Sequence, residues 1–195
     1  MMTAIYDRVL ADARDRPAWL KKREGRVGAS DAASFSKEES FPLYMKAKLD
    51  DSFKGNAYTE HGNDRERAIL RAYNLEQNTL LFHAPENDRH VATPDAIKIG
   101  ADGEIILAQV KTTSKPILKI SPAYSRQMWW EQYVMGATRT LFIWEHHEGF
   151  APLEMEPESQ WFERDDAQIE KLIRIANRVL VGLDEAAQFR KELQQ

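Results

Sequence analysis

The sequence predicts an α/β protein in which helices bracket a central β-sheet. Apolar residues recur at helical spacing in the N-terminal and C-terminal parts, whereas short apolar and β-branched runs separated by turn residues occupy residues 79–110. With 195 residues and 43% hydrophobic content, the chain is long enough to bury one sizeable core. We therefore expect a single domain that spans residues 1–195.

Four helices are predicted before the sheet. Residues 3–14 have apolar side chains at helical spacing, and Pro17 is expected to end this first helix. Residues 28–31 (GASD) offer good N-cap candidates for a short second helix over residues 32–35. The third helix is predicted over residues 42–49 and the fourth, which has the clearest pattern, over residues 59–73.

The central part of the chain reads as a meander of strands followed by a helix, a strand and a long helix. Strands are predicted over residues 80–82, 90–92, 96–99 and 105–110, with turns at residues 85–88 and 100–103. A helix over residues 124–135, an apolar strand over residues 140–144 and an amphipathic helix over residues 165–191 complete the prediction.

Composition argues against several classes of protein. The chain has no cysteine, so disulfides and thiolate metal sites are excluded, and the adjacent His146 and His147 would face opposite ways on a strand, which makes a zinc site unexpected. No apolar run approaches the roughly 20 residues that span a bilayer. Acidic residues near the start occupy the place where a signal peptide has its apolar core. We expect a cytoplasmic protein without a membrane partner.

Charge is unevenly distributed along the chain. The formal net charge of −4 means that nucleic-acid binding would need a local basic surface rather than a positive field around the whole molecule. Residues 14–26 and 111–126 are basic, whereas residues 145–170 are strongly acidic. An ordinary solvated surface can have the same unevenness, so charge alone does not assign a function.

The residues with the clearest chemical meaning lie on two successive predicted strands. The sequence TPD ends at Asp95, and the sequence QVK runs from Gln109 to Lys111. A hairpin would place Asp95 opposite this segment, and residues two apart on a strand share a face. An acid, an amide oxygen and an ammonium would then meet at one sheet edge. Phosphodiester hydrolysis uses such a set, because oxygen ligands hold a hard cation and a lysine orients or deprotonates water.

These residues resemble the PD-(D/E)XK nuclease signature, and the wider pattern resembles the lambda-exonuclease and YqaJ-like viral recombinase family from residue 19 to about residue 139. Three further elements carry the likeness. The first consists of WLKKR, which ends at Arg23, and VGASD, which contains Ser30; the second is GNDRE, which ends at Glu66; the third is YSRQMWW, which contains Gln127. The resemblance implies a restriction-endonuclease-like core with a mixed β-sheet flanked by helices.

The resemblance also implies roles for individual residues. The expected catalytic residues are Lys111, Asp95, Gln109 and Glu66. A Mg²⁺ ion, for which Mn²⁺ should substitute, would be held by Asp95, Gln109, Glu66 and the backbone carbonyl of Val110. Arg23 and Ser30 would contact a terminal DNA phosphate, since a guanidinium beside a serine at a helix start makes an anion site. Thr93, Gln127 and Lys115 complete the expected phosphate-binding set.

Gln109 departs from the family pattern, which has a carboxylate at this position. An amide oxygen can ligate a hard cation, but it brings no charge, so metal affinity should fall. Three explanations stay open: a natural variant that works, a catalytically dead relative, or a carboxylate changed to its amide to trap a complex. The intact Lys111 and the basic phosphate site favour the first.

The leading hypothesis for function is a magnesium-dependent 5′-to-3′ exonuclease on linear double-stranded DNA that resects ends for phage-type recombination. The resemblance further implies DNA with 5′-phosphate ends as substrate, a homotrimeric ring around it, and a single-strand annealing protein as partner. Two alternatives are a restriction-like or repair endonuclease, and a catalytically impaired DNA-end binding protein that retains the phosphate site.

Overall fold

The computed structural model describes residues 3–49 and 57–193, with side chains described for residues 5–49 and 64–193. The helices are α1 (Thr3–Tyr6), α2 (Arg16–Arg23), α3 (Ala29–Ala32), α4 (Phe41–Leu49), α5 (Ala57–Ala72), α6 (Pro122–Met135) and α7 (Asp166–Glu192). The strands are β1 (Val9–Asp12), β2 (Leu80–His83), β3 (Val91–Ala92), β4 (Ala96–Ile99), β5 (Ile105–Thr113), β6 (Arg139–Glu148), β7 (Ala151–Pro152) and β8 (Glu158–Glu163).

The larger sheet is mixed, as expected, and β5 and β6 are its central strands. β4 and β5 form an antiparallel hairpin in which Ala96 pairs with Ala108, while β5 and β6 run parallel. A parallel pair needs a crossover connection, and α6 provides it. Ser121 caps the start of this helix, and Gly136 ends it in the left-handed conformation (φ 73°) that glycine adopts without strain. β7 and β8 pair with β6 on its other side.

A smaller antiparallel sheet, in the order β1-β2-β3, lies beside the larger one. Its residues Phe82 and Ala92 share the main core cluster with Trp130 and Val134 of α6. The backbone of Val27, which precedes α3, pairs with His90 next to β3. The segment that carries the predicted phosphate-binding residues is thereby fixed against this sheet.

Strand β5 is covered on both faces. Ala108 and Val110 pack with Ile69 and Leu70 of α5, whereas Leu107 belongs to the cluster built on α6. Gln109 is only 2% exposed. Because alternate residues of a strand face opposite sides, Gln109 shares the α6 face with Leu107. Its amide is therefore an interior group that needs hydrogen-bond partners.

The N-terminal prediction is wrong in its second half. The helix expected over residues 3–14 ends at Tyr6, and residues 9–12 form β1, which pairs with β2. Strand pairing with residues 70 positions away overrides a helical pattern in the local sequence. Pro17 lies in the first turn of α2 rather than ending α1, a position where the missing N–H costs nothing.

Most other predicted elements are confirmed within a few residues, with two kinds of difference. The short second helix begins at Ala29 rather than at Ala32, and β6 is twice as long as the strand expected over residues 140–144. The strands β7 and β8 were not anticipated, because β7 has only two residues and β8 is mostly exposed, with an acid at each end and little apolar alternation. Within residues 3–49 and 57–193, no helix is long and apolar enough to cross a membrane.

Candidate active site

The β4–β5 hairpin brings Asp95 to the residues that the sequence placed opposite it. Oδ2 of Asp95 accepts a hydrogen bond from the backbone N–H of Val110 at 2.6 Å and another from Nε2 of Gln109 at 2.5 Å. Burial raises the pKa of Asp95, and the positive charge of Lys111 and the Val110 hydrogen bond oppose that rise. Asp95 and the QVK segment therefore form one site.

Lys111 and Glu66 reach the same site from β5 and α5. Nζ of Lys111 lies 5.4 Å from the ring centre of Tyr124 on α6. Oε1 of Glu66 accepts a hydrogen bond from Nε2 of Gln77 at 2.8 Å. Burial, followed by the negative charge of Asp95, raises the pKa of Glu66 to about 7, while the Gln77 hydrogen bond and Lys111 act in the opposite direction. The acids predicted as ligands are thus electrostatically coupled.

The orientation of α5 is fixed next to Glu66. The guanidinium of Arg65 donates two hydrogen bonds, of 2.9 and 2.6 Å, to the carboxylate of Glu145 on β6. Glu145 is 4% exposed, so its carboxylate is largely shielded from water, whereas the Arg65 side chain is 35% exposed. It anchors the helix that presents Glu66 to the sheet.

A chain of side chains runs from Asp95 into α6. Nε2 of Gln127 donates both to Oε1 of Gln109 at 2.8 Å and to Oε1 of Glu131 at 3.0 Å. Both hydrogens of the Gln127 amide are thereby engaged within the protein. A phosphate offers only acceptors, so Gln127 would have to give up one of these bonds to bind one directly. Its contacts favour a role in steadying the site.

Glu131 is a site residue that the sequence analysis missed. It is 1% exposed, and its Oε2 has no hydrogen-bond partner among the described residues. Burial, followed by the negative charge of Asp95, raises its pKa to about 8, against the opposing influence of the Gln127 hydrogen bond and of Lys111. The available signal was an acid four residues after Gln127, hence on the same helix face, among the bulky residues Trp129, Trp130 and Tyr133.

Four of the five predicted phosphate-binding residues line one cavity of about 130 Å³: Arg23, Ser30, Thr93 and Gln127. Glu131 lines it as well. Nη2 of Arg23 donates to Oγ of Ser30 at 3.0 Å, and the guanidinium lies 4.6 Å from the ring centre of Trp19. A Cβ atom at Gly28 would lie 3.1 Å from this guanidinium, so the absence of a side chain there permits the close approach.

One expectation about the phosphate site needs correction, and one stays a prediction. Ser30 does not cap a helix: Gly28 is the N-cap of α3, which has only four residues, so a helix dipole adds little to anion binding. The anion-binding argument therefore rests on the guanidinium and the hydroxyl. Lys115 is exposed beyond the end of β5 and does not line the cavity, so its contact with a DNA phosphate stays a prediction.

The side chains at this site fit a hard divalent cation. Asp95, Glu66 and the Val110 carbonyl supply oxygen, the ligand type that Mg²⁺ and Mn²⁺ prefer. In the described part of the chain, however, no three His, Cys, Asp or Glu side chains lie close enough together to hold an ion by themselves. Gln109 presents its nitrogen to Asp95. Its oxygen could face a cation only if its amide turned, and Gln127 would have to turn with it.

The raised pKa values predict how stability depends on pH without a divalent ion. An acid whose pKa is higher in the folded than in the unfolded state stabilises the fold at low pH, and this contribution is lost as pH rises from about 4.5 through about 8. We expect urea unfolding in a chelating buffer to show a loss on the order of 1–3 kcal/mol between pH 5 and pH 8.5. Glu131→Gln should reduce this slope, and Asp95 and Glu66, whose pKa values burial also raises, should account for the remainder. Equal slopes in parent and variant would contradict this assignment.

Comparison with known proteins identifies the family. Residues 18–137 match the model of the YqaJ-like viral recombinase domain, and the chain belongs to this family. The matched region contains every residue discussed above that contacts Asp95 or lines the cavity. A search of curated proteins found no significant match.

Solved structures show the same fold. An alkaline exonuclease from Laribacter hongkongensis has 21% identity and a TM-score of 0.69, with 91% of this chain and 97% of that chain covered. The same enzyme in complex with dAMP gives 20% identity and an equal TM-score. A phage-related exonuclease from Haemophilus somnus 129PT has 14% identity and a TM-score of 0.64, with 85% and 96% of the two chains covered. The mixed sheet flanked by helices is thus shared with exonucleases.

Proposed function

We propose that this chain is a single-domain, magnesium-dependent exonuclease that degrades one strand of linear double-stranded DNA in the 5′-to-3′ direction. Family membership and the shared fold support a nuclease role. The observation that carries the finer proposal is the position of the cavity lined by Arg23, Ser30 and Thr93. Gln127 connects this cavity to Gln109 and Asp95. A terminal phosphate held there would lie beside the hydrolytic residues.

Each residue has a role that follows from its chemistry. A divalent cation, when bound, would polarise the scissile phosphate and lower the pKa of attacking water. Asp95, Glu66 and the Val110 carbonyl would hold it, and Gln109 could join them as a weaker neutral ligand only if its amide turned. Lys111 would orient the water or accept its proton. Arg23 and the Ser30 hydroxyl would bind the terminal phosphate through charge-assisted hydrogen bonds.

The proposal extends to assembly and partners. A homotrimeric ring around the duplex would keep a protein with net charge −4 on DNA with few phosphate contacts. A single-strand annealing protein would take up the 3′ strand that resection exposes. We propose that this takes place in the cytoplasm, which for a phage-encoded protein is that of the bacterial host.

The direction of degradation is tested with a linear duplex labelled on one strand. A label at the 5′ end should be released at once as a mononucleotide when Mg²⁺ is added, whereas a label at the 3′ end of the same strand should be released last. Early release of the 3′ label would contradict the proposed polarity while leaving nuclease activity intact.

Arg23→Ala and Ser30→Ala should act mainly on DNA that carries a 5′ phosphate. Hydrogen bonds to a charged group contribute about 1.5–3 kcal/mol, so the parent should prefer a 5′-phosphorylated duplex over a 5′-hydroxyl duplex by about tenfold or more. Both variants should bring this ratio close to one. Arg16→Ala is the matched control, because Arg16 also lies 4.6 Å from the Trp19 ring but does not line the cavity. Equal slowing on both substrates would make Arg23 and Ser30 general contacts.

One observation favours the second candidate, a DNA-end binding protein with impaired catalysis. The Gln109 amide donates a hydrogen bond to Oδ2 of Asp95. The position that normally carries a second acid therefore occupies one carboxylate oxygen of Asp95 instead of adding a carboxylate to the site. Such a protein would retard DNA with 5′-phosphate ends in a gel but would not shorten it in the presence of Mg²⁺ or Mn²⁺.

A further inference from the structure

The strand acid that the family uses is absent here, yet the α6 face above that position carries a buried acid. Glu131 lies four residues after Gln127, and one nitrogen atom of Gln127 is within 3.0 Å of both the Glu131 carboxylate and the Gln109 amide oxygen. The carboxylate is therefore separated from the amide of Gln109 by a single bridging atom.

Glu131 also lacks the partners that would stabilise a purely structural buried carboxylate. It is 1% exposed, and its Oε2 receives no hydrogen bond from the described residues. Buried acids are normally paired or fully hydrogen-bonded, because an unpaired one is costly. By contrast, the buried Glu145 on β6 receives two hydrogen bonds from Arg65. The groups that act on Glu131 electrostatically, apart from Gln127, are Asp95, Lys111 and Glu66, which are all candidate site residues.

We propose that Glu131 supplies the negative charge that Gln109 does not, so that the divalent-cation site depends on a carboxylate carried by α6 in place of one carried by β5. Glu131 acts here as a positioning residue rather than as a ligand. Without a cation, burial keeps the pKa of Glu131 at about 8, and the positive charge of a bound cation would favour the ionised form. The ionised carboxylate attracts the cation, and its hydrogen bond holds Gln127, which in turn holds Gln109. The proposal rests on the metal-dependent function proposed above.

This arrangement explains how Gln109 can be accommodated in the site. Turning the Gln109 amide toward a cation would require Gln127 to turn as well, which would place its oxygen against the Glu131 carboxylate. With Glu131 as the source of charge, neither amide has to turn. Gln127 continues to donate to Gln109, and Gln109 continues to donate to Oδ2 of Asp95. Asp95 retains its second oxygen, Oδ1, for the cation.

The test is a cycle of four proteins whose affinity for Mn²⁺ is measured by calorimetry without DNA, at pH 8.5, where Glu131 is ionised: the parent, Glu131→Gln, Gln109→Glu, and the double variant. Glu131→Gln should weaken Mn²⁺ binding about tenfold, the size of effect that one nearby charge has on a cation in a partly shielded site. Gln109→Glu should strengthen it. The double variant, which moves the charge back to the strand, should return to within about threefold of the parent.

Controls separate this proposal from a structural role and from the function on which it rests. Glu170→Gln, an exposed residue of α7, removes the same net charge and should leave Mn²⁺ affinity unchanged. Unfolding in a chelating buffer should show that Glu131→Gln is folded and at least as stable as the parent. Unchanged affinity in Glu131→Gln, or a double variant that binds no better than Glu131→Gln, would overturn the role of Glu131. A parent that binds no Mn²⁺ would overturn the proposed metal-dependent function as well.

Discussion

Replacing Lys111 with methionine is expected to slow DNA cleavage by about 100-fold or more, the usual contribution of a group that orients or deprotonates the attacking water. Among the residues whose side chains are described, Lys111 is the one cation that acts on all three acids of the site, Asp95, Glu66 and Glu131. Methionine keeps the apolar stem that lies near Tyr124 and removes only the ammonium. The measurement is the single-turnover rate on a 5′-phosphorylated duplex.

Lys98→Met provides the matched control for this loss. Lys98 is an exposed residue of the neighbouring strand β4. Its replacement makes the same change of side chain as Lys111→Met, but outside the site. Its cleavage rate should stay within about twofold of the parent, and both variants should bind DNA and unfold like the parent. Cleavage by Lys111→Met at close to the parental rate would remove Lys111 from the mechanism.

Asp95→Asn is expected to abolish both metal-dependent cleavage and measurable divalent-cation binding. Asp95 is the only acid within the TPD and QVK segments, so Gln109 cannot replace its charge. Asparagine is preferable to alanine, because the carboxylate accepts the Val110 N–H at 2.6 Å, and a buried N–H without an acceptor would cost about 1–3 kcal/mol. Replacing a residue that only contacts a metal ligand lowers metal affinity about 10- to 100-fold. Losing the charged ligand Asp95 itself should lower the affinity for divalent cations by at least this much.

Calorimetry with Mn²⁺ and a cleavage assay on the same preparation check this expectation. Glu66→Gln is the informative comparison, because it removes an acid from α5 while the hairpin stays intact. We expect weakened binding in this variant rather than complete loss. Undiminished Mn²⁺ binding by Asp95→Asn would move the cation away from the hairpin and would contradict the assignment of Asp95 and Val110 as ligands.

The hairpin and its chemistry could be predicted because they depend on local rules. The turn residues at 100–103 predict a hairpin, and strand alternation predicts which side chains share a face. Together they were sufficient to place Asp95 and Lys111 at one edge of the sheet. The N-terminal strand β1 could not be predicted in this way. It is a strand only because β2 offers a partner about 70 residues later, while its own sequence has helical spacing.

Glu131 illustrates why part of the site escaped prediction. Its importance depends on the parallel crossover that lays α6 over β5, since only then do Gln127 and Glu131 face Gln109. From the sequence, an acid in a helix is most simply assigned to the solvent. The sequence alone does not distinguish a surface acid from one that is 1% exposed, because the difference depends on how the whole helix packs.

The most direct test of the central claim is digestion of one plasmid in two forms, linear and covalently closed, with Mg²⁺ and without it. The account predicts that the linear form is degraded progressively only when Mg²⁺ is present, while the closed circle stays intact for the same time. Cutting of the closed circle would contradict exonuclease action and indicate an endonuclease. Retardation of the linear form in a gel, without any shortening in Mg²⁺ or Mn²⁺, would contradict catalysis and leave a DNA-end binding protein.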